Sequence, residues 1–138
     1  DLNLRKPAIH EKFGFQPQVG IHDYLRREAQ LKDCLICPGV PRLVVLPARE
    51  AKGEAAAGVI SSPRMTALAK ELQNRYSEPI IIYHTPPLLT SGDTLGFLPN
   101  VDSVLLVARS GRTTKTELEK SAHLLGNKAI VGTLLNAY

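Results

Sequence analysis

Four short runs of apolar residues recur along the chain, and longer segments with a helical period separate them. The runs are rich in β-branched residues and do not alternate between polar and apolar positions. Uninterrupted runs of this kind are typical of strands in a parallel sheet whose two faces are both covered. They predict four strands, at residues 43–46, 80–83, 104–107 and 129–135.

Two segments between these runs have the pattern of amphipathic helices. The first begins after Ser62, a favourable N-cap, with Pro63 at its first position. The second begins at a capping box of Thr114 and Glu117 and ends at Gly126. In both, apolar residues recur every three or four positions and so share one face. Those faces contain Met65, Leu68, Ala69, Leu72 and Tyr76 in the first helix and Leu118, Ala122 and Leu125 in the second.

The order of the predicted elements favours one fold class. A third helix is predicted from near Ile21, with Tyr24, Leu25 and Ala29 facing inward. Strands joined by helical crossovers form a parallel sheet, so we expect an α/β fold with a doubly wound, mostly parallel sheet. The length fits a single domain over residues 1–138. Residues 51–58 are small and polar and are predicted to form a connection.

Composition places the chain among ordinary globular proteins. Apolar residues make up 43% of the 138 residues and charged residues 22%, which argues against disorder and coiled coil. No apolar run is long enough to span a membrane, and no secretory signal opens the chain. The net charge of +4 is spread along a chain with 5% aromatic residues, so we expect no nucleic-acid partner.

Two further features concern the compartment and the extent of the chain. Cys34 and Cys37 form a single C-x-x-C without a second pair, which favours two semi-buried thiols in a reducing, cytoplasmic compartment over zinc or redox chemistry. The chain opens at Asp1 without a methionine and ends at Tyr138, directly after a predicted strand. We therefore expect a piece of a longer protein, truncated at its amino terminus.

Polar residues follow the predicted strands, where ligands collect in open parallel sheets. His84 follows the second strand and Asn136 the fourth. Arg109 follows the third and opens a basic, glycine-containing loop that could approach an anion at a helix amino terminus. Asp1 would follow a strand that precedes the first residue, and the basic side chain of Arg5 could meet a phosphate or an acidic partner.

Several segments resemble, in order, the motifs of the bacterial tyrosine kinases of polysaccharide export. Residues 1–7 (DLNLRKP) resemble the second Walker motif of that family, D-x-D-L-R-[RK]-P. Residues 83–93 (YHTPPLLTSGD) resemble its Walker B region, and residues 60–65 (ISSPRM) resemble a segment between the two. The resemblance extends to residues 9–25 (IHEKFGFQPQVGIHDYL), 41–48 (PRLVVLPA) and 101–109 (VDSVLLVAR), and so covers nearly the whole chain.

The resemblance implies a fold and an activity. Family members have the P-loop NTPase fold of the deviant-Walker type and transfer the γ-phosphoryl group of ATP, with Mg²⁺, to tyrosines in the tail of a neighbouring subunit. A transmembrane polysaccharide co-polymerase activates them at the inner face of the cell membrane. The chain would then be part of an autokinase-like protein, a homo-oligomer that regulates exopolysaccharide biosynthesis or export.

The resemblance also assigns roles to individual residues. Asp1 would hold Mg²⁺ or accept a proton, and Asn3 and His84 occupy the other two catalytic positions. Related nucleotide-binding folds use an asparagine after the last strand for the adenine base, which makes Asn136 the candidate for that contact. Tyr138 would belong to the phosphorylated tail.

Three departures from the family pattern predict an impaired site. The chain contains no G-x-x-x-x-G-K-[ST] loop to cradle the phosphates. Asn3 stands in place of the second aspartate of D-x-D and lacks its charge. His84 stands in place of the Walker B aspartate, and imidazole is a poor ligand for Mg²⁺. We thus expect ATP and Mg²⁺ to be the cofactors of the intact family. The alternative is that this chain uses neither.

Each assignment has a structural alternative. Asp1 can be a solvated terminus, His84 a hydrogen-bonded structural histidine, and residues 109–114 the cap of a helix. Arg5 can belong to a solvated surface and Asn136 to a loop. For the whole protein, the alternatives are a non-catalytic pseudokinase that serves as an interaction module and a deviant-Walker ATPase that switches by dimerisation. Residues 60–65 and 84–93 favour the polysaccharide family over the ATPase.

Overall fold

The computed structural model describes residues 1–49 and 58–137. The chain divides into two compact units, Asp1–Pro86 and Pro87–Tyr138. None of the helices in the described residues is long and apolar enough to cross a membrane. Most of the predicted connection, at residues 51–57, and Tyr138 lie outside the described residues.

The first unit contains four helices in its described residues. They are α1 (Ile9–Lys12), α2 (Ile21–Arg26), α3 (Leu31–Cys34) and α4 (Pro63–Arg75). The helix α4 begins as the sequence predicts, because the side chain of Ser62 accepts a hydrogen bond from the backbone N–H of Met65 at 3.2 Å. Its buried positions are Met65, Leu68 and Ala69, whereas Tyr76 is exposed just beyond its end.

The helix α2 is shorter than predicted. It starts where the Asp23 carboxylate accepts a hydrogen bond from the backbone N–H of Gly20 at 2.7 Å. It ends at Arg27, which adopts a left-handed conformation with φ of 66°, a conformation that stops a helix. Ala29 therefore lies outside the helix. At Gly20 the chain passes so close to Pro47 that an added Cβ would lie 2.6 Å from the Pro47 carbonyl oxygen.

The predicted strands at residues 43–46 and 80–83 are wrong, since neither segment is a strand in the structure. Val45 makes one isolated antiparallel bridge with Ile36. The carbonyls of Leu46 and His84 accept hydrogen bonds from the amino group of Asp1 and the N–H of Leu2, at 2.8 and 2.7 Å. A strand requires a lateral partner over several residues, and in the described residues neither segment forms such a ladder.

The second unit contains the strands of the described residues. Its elements are α5 (Asp93–Phe97), a 3₁₀ turn (Leu98–Asn100), β1 (Val104–Arg109), α6 (Lys115–Leu125) and β2 (Ile130–Asn136). The strands β1 and β2 pair in parallel, with α6 between them in the chain. This confirms the predicted strand–helix–strand order of the carboxyl-terminal part. The buried residues of α6 are Ser121 and Leu125, whereas Ala122, predicted on the buried face, is exposed.

The register of the parallel pair decides which residues meet at its carboxyl end. Val104 pairs with Ile130, and an irregularity follows, so that Leu105 pairs with Gly132 rather than with Val131. From there the ladder runs without interruption until Arg109 lies opposite Asn136. The described residues thus establish an α/β fold with a two-stranded parallel sheet. A doubly wound sheet and a single domain stay predictions.

Candidate functional site

The carboxylate of Asp1 is fully buried and is surrounded by hydrogen-bond donors. Its Oδ1 accepts from the backbone N–H of Asn3 at 3.0 Å and lies 3.0 Å from Nδ1 of His84. Its Oδ2 accepts from the N–H groups of Ala8 and Ile9, at 3.2 and 3.3 Å. The alternative of a solvated side chain at Asp1 is therefore wrong, because this carboxylate organises the turn that leads into α1.

His84 contacts this carboxylate from the other end of the unit's sequence. Its side chain is 46% exposed. Burial, and secondarily the charge of the amino terminus, lowers the pKa of His84 below its ordinary 6.5. A carboxylate only accepts hydrogen bonds, so the neutral ring must carry its proton on Nδ1 and donate it to Asp1. This fixes the ring and leaves Nε2 as a hydrogen-bond acceptor.

This arrangement does not fit a magnesium ion. Each oxygen of Asp1 already has two partners, so a metal would have to displace hydrogen bonds that hold the turn. Mg²⁺ also prefers oxygen ligands, and the neighbouring ring offers nitrogen. In residues 1–49 and 58–137 no group of three histidine, cysteine or carboxylate side chains is placed to hold a metal. We derive no step through Mg²⁺ for these residues.

Asn3 and Arg5 lie in the same turn as Asp1. The backbone carbonyl of Asn3 accepts a hydrogen bond from the N–H of Lys6 at 3.2 Å, which closes the turn. The residue Arg5 is exposed. The structure thus places Asp1, Asn3 and Arg5 in one turn and brings His84 against the carboxylate of Asp1. The catalytic roles of Asn3 and His84 and the phosphate contact of Arg5 stay predictions.

Arg109 and Asn136 lie side by side at the end of the parallel pair in the second unit. The carbonyl of Asn136 accepts a hydrogen bond from the N–H of Ser110 at 2.8 Å. The N–H of Arg109 donates to the hydroxyl of Thr113 at 2.8 Å, which closes the loop that begins there. The two residues are brought together as the sequence predicts, and their contacts with a nucleotide stay predictions.

The helix that follows this loop is capped from within. The carboxylate of Glu117 accepts hydrogen bonds from the N–H and the hydroxyl of Thr114, at 2.8 and 2.9 Å. The hydroxyl of Thr114 in turn accepts from the N–H of Glu117 at 3.2 Å. The hydrogen bonds from Thr114 lower the pKa of Glu117. The capping interpretation of residues 109–114 is thereby confirmed, and a carboxylate already lies where an anion was considered.

The cysteines are free thiols in the structure. Cys34 is buried and its thiol donates to the carbonyl of Gly20 at 3.4 Å, and burial raises the pKa of this thiol. Cys37 is exposed. The prediction that both thiols are semi-buried is wrong, because one is buried and the other is exposed.

Sequence analysis missed one polar cluster, formed by Tyr24, Arg64 and Glu71. The hydroxyl of Tyr24, predicted to face inward, donates to Oε2 of Glu71 at 2.6 Å. Arg64 donates to the backbone carbonyl of Tyr24 at 3.1 Å. Arg64 and Glu71 are two helical turns apart in α4 and so share a face. That spacing was the signal available in the sequence, although it does not reveal the partner on α2.

Comparisons with known proteins agree with these features. No protein-family model matches the sequence. The tyrosine-protein kinase YwqD of Bacillus subtilis (strain 168) is 30% identical over 99% of this chain and 57% of its own length. The crystal structure of the VpsO kinase domain matches 100% of this chain and 68% of its own, with 30% identity and a TM-score of 0.88. The chain belongs to the family of bacterial tyrosine kinases.

A second structure of this tyrosine kinase family agrees. The kinase domain of the Escherichia coli tyrosine kinase ETK is 27% identical, with a TM-score of 0.87 over 99% of this chain and 53% of its own. The chain spans 57% of the length of the B. subtilis relative. The match therefore extends over all the described elements of this family member, from the turn at Asp1 to β2.

Proposed function

We propose that this chain is part of a bacterial tyrosine-kinase-type protein that regulates exopolysaccharide biosynthesis or export, and that its Mg²⁺-dependent ATP chemistry is impaired. Membership of the tyrosine kinase family supports the first half of the proposal. The hydrogen bond between His84 and the buried carboxylate of Asp1 carries the second half.

Phosphoryl transfer requires a cradle for the phosphates, a metal ion held by oxygen ligands and a group that orients the attacking hydroxyl. The 138 residues contain no G-x-x-x-x-G-K-[ST] loop, so phosphate binding would depend on residues beyond them. Asp1 is the carboxylate that the family resemblance assigns to the metal, and its oxygens are already occupied. Two of the three requirements are therefore unmet by these residues.

The remaining parts of the proposal follow from the resemblance. The parallel pair β1–β2 would belong to a doubly wound sheet of the P-loop NTPase type. The protein would work as a homo-oligomer at the inner face of the cell membrane, together with a transmembrane polysaccharide co-polymerase. Arg5 and Arg109 would contact phosphate and Asn136 the base in any nucleotide complex that forms.

A non-catalytic interaction module is the second candidate. The complete hydrogen bonding of Asp1 favours it, because a structural role for this carboxylate is compatible with a fold kept for protein contacts alone. The deviant-Walker ATPase has no comparable support in the described residues.

Calorimetric titration of ATP with and without Mg²⁺ tests the proposal. The titrated protein is the complete natural polypeptide that contains residues 1–138, beside its His84→Asp variant and the matched control His123→Asp on the exposed side of α6. We expect weak, Mg²⁺-independent heat from the natural protein and the control, and Mg²⁺-dependent binding from His84→Asp. Tight Mg²⁺-dependent binding and autophosphorylation by the natural protein would refute impairment. Silence of all three proteins favours the interaction module.

A further inference from the structure

Tyr24 joins two helices of the first unit through its hydroxyl. The side chain extends from α2 to α4, where the hydroxyl donates to Oε2 of Glu71 at 2.6 Å. Donation to this carboxylate raises the pKa of Tyr24. The contact is on the surface of the unit, and the residue Glu71 is exposed. The phenolic oxygen is therefore both positioned by a carboxylate and reachable from solvent.

A guanidinium group lies near the same ring. The central carbon of Arg64 is 5.8 Å from the centroid of the Tyr24 ring, within the range of a cation–π contact. One terminal nitrogen of Arg64 donates to the backbone carbonyl of Tyr24 at 3.1 Å. Its Nε is buried and has no hydrogen-bond partner in the described part of the chain. Arg64 thus retains an unused donor beside Tyr24.

An open groove of about 610 Å³ exposes this arrangement. Tyr24, Arg64 and Glu71 line it together with Arg27, the left-handed residue that ends α2. The groove contains these two arginines together with the carboxylates of Glu28, Asp33 and Glu71. A bulky anion on the Tyr24 oxygen would have room there, and Arg64 is the cation that already contacts the Tyr24 ring.

The other described tyrosines lack this environment. Tyr83 is partly buried, and its hydroxyl oxygen is inaccessible to solvent. Tyr76, 46% exposed, lies just after α4 and does not line the groove. Tyr76 is consequently a matched control, an accessible tyrosine of the same unit outside the groove.

We propose that Tyr24 is a phosphorylation site, and that phosphorylation exchanges the partner of its oxygen from Glu71 to Arg64. A tyrosine kinase would supply the phosphoryl group from ATP. The phenolic oxygen forms the new P–O bond, the bond between the γ-phosphorus and the leaving ADP oxygen breaks, and the phenolic proton passes to the Glu71 carboxylate. The kinase acts on Tyr24 in trans, so this site is independent of any activity of the chain itself.

The exchange of partners follows from charge. A phosphotyrosine carries a charge of roughly −1.5 to −2 at neutral pH and has no hydroxyl proton to donate. Once Glu71 has released the transferred proton to solvent, its carboxylate is next to a like charge and is repelled. The guanidinium of Arg64, 5.8 Å from the centroid of the Tyr24 ring, pairs with the phosphate through its terminal N–H groups, and arginine suits this geometry. The contact between α2 and α4 thus changes from a hydrogen bond to a carboxylate into an ion pair with a guanidinium.

The test combines site mapping with phosphorus NMR. The complete natural polypeptide, its Tyr24→Phe and Tyr76→Phe variants and Arg64→Met are incubated with a purified, active bacterial tyrosine kinase and ATP, and peptides are mapped by mass spectrometry. Phosphotyrosine-24 is then titrated by ³¹P NMR. Circular dichroism verifies that each variant is folded, and Glu71→Gln serves as a second probe of the exchange where Arg64→Met is unfolded.

We expect phosphate on Tyr24, its loss in Tyr24→Phe and its retention in Tyr76→Phe. The second pKa of the phosphate should lie about one unit lower in the natural protein than in Arg64→Met, because an adjacent guanidinium favours the dianion. In Glu71→Gln the low value should persist. Absence of phosphate on Tyr24 overturns the site. An unchanged phosphate pKa in Arg64→Met, or a large shift in Glu71→Gln alone, overturns the exchange of partners.

Discussion

Oδ1 of Asp1 and Nδ1 of His84 lie 3.0 Å apart although 83 positions separate the two residues in the chain. The carboxylate is buried and the imidazole is half exposed. A buried acceptor behind a partly exposed ring fixes which nitrogen carries the proton. In a family whose pattern places two aspartates at these positions, this chain pairs one carboxylate with a neutral ring and so avoids the repulsion between two like charges.

The buried carboxylate of Asp1 should be a major source of stability. In Asp1→Asn, the amide nitrogen would face backbone N–H groups that need an acceptor, at Ala8 and Ile9 or at Asn3. We expect the free energy of unfolding to fall by about 2–4 kcal/mol, since hydrogen bonds to a charged group are the strong ones. Urea denaturation measures the change, with Asp102→Asn at an exposed residue as the control. Equal effects of the two variants would contradict the structural role of Asp1.

The stability of the protein should decrease in acid. Burial is the main cause that lowers the pKa values of His84 and His22 below 6.5, and for His22 the charge of Arg26 adds to it. The folded protein therefore favours the neutral rings. Their contribution is complete above pH 6.5 and is lost as the pH falls through the lower folded pKa values.

Thermal unfolding at a series of pH values between 8 and 5 measures this loss. His22 contributes a loss of the same sign, so the decisive quantity is the difference between variants. His84→Gln should flatten the pH dependence of Tm, while His123→Gln should leave it unchanged. A profile of His84→Gln that parallels the natural one would show that His84 does not titrate in this range.

The hydrogen bond between Tyr24 and Glu71 should contribute modestly, since it is exposed. Tyr24→Phe removes the donor and keeps the ring over Arg64. We expect a loss of about 0.5–1 kcal/mol in the free energy of unfolding. A double-mutant cycle with Glu71→Gln isolates the pair, and the coupling energy should account for most of the loss. Additive effects of the two changes would mean that the contact does not form in solution.

Gly20 should tolerate no side chain, because an added Cβ would lie 2.6 Å from the backbone carbonyl oxygen of Pro47. Backbone atoms cannot rotate away as a side chain can, so relief requires a shift of α2. We expect Gly20→Ala to cost about 1–3 kcal/mol of stability, as overpacking does in cores. Gly92→Ala is the control, since a Cβ added there would have no atom within 4 Å. Chemical denaturation of both variants should separate them clearly.

Capping residues in the sequence correctly predicted where two helices begin. The N-cap Ser62 and the capping box of Thr114 and Glu117 act within one turn of helix, so α4 and α6 begin where the sequence places them. The residues 80–83 show the opposite case. Their β-branched side chains favour a strand, yet Ile80 and Ile82 are 92% and 86% exposed. A strand depends on a distant partner, which no local pattern supplies.

The candidate site divides in the same way. The positions of Arg109 and Asn136 could be predicted because each lies at the end of an apolar run that forms a strand, whereas His84 follows a run that forms none. The burial of Asp1 could not, because it depends on backbone donors of Asn3, Ala8 and Ile9 that only the folded turn presents. The contact joins Tyr24 and Glu71, which are 47 positions apart in the chain. Sequence periodicity predicts which residues share a helix face, but not which element packs against that face.

The register irregularity between Val104 and Leu105 determines which side chains meet at the carboxyl end of the parallel pair. Val131 is the extra residue in β2, and beyond it every residue of that strand is displaced by one place along β1. If Val131 instead paired with Leu105, the same count along the ladder would bring Leu135 opposite Arg109. A hydrocarbon would then stand where an amide now accompanies the guanidinium. A single unpaired residue near the start of β2 thus places the polar side chain of Asn136, and not that of Leu135, opposite Arg109.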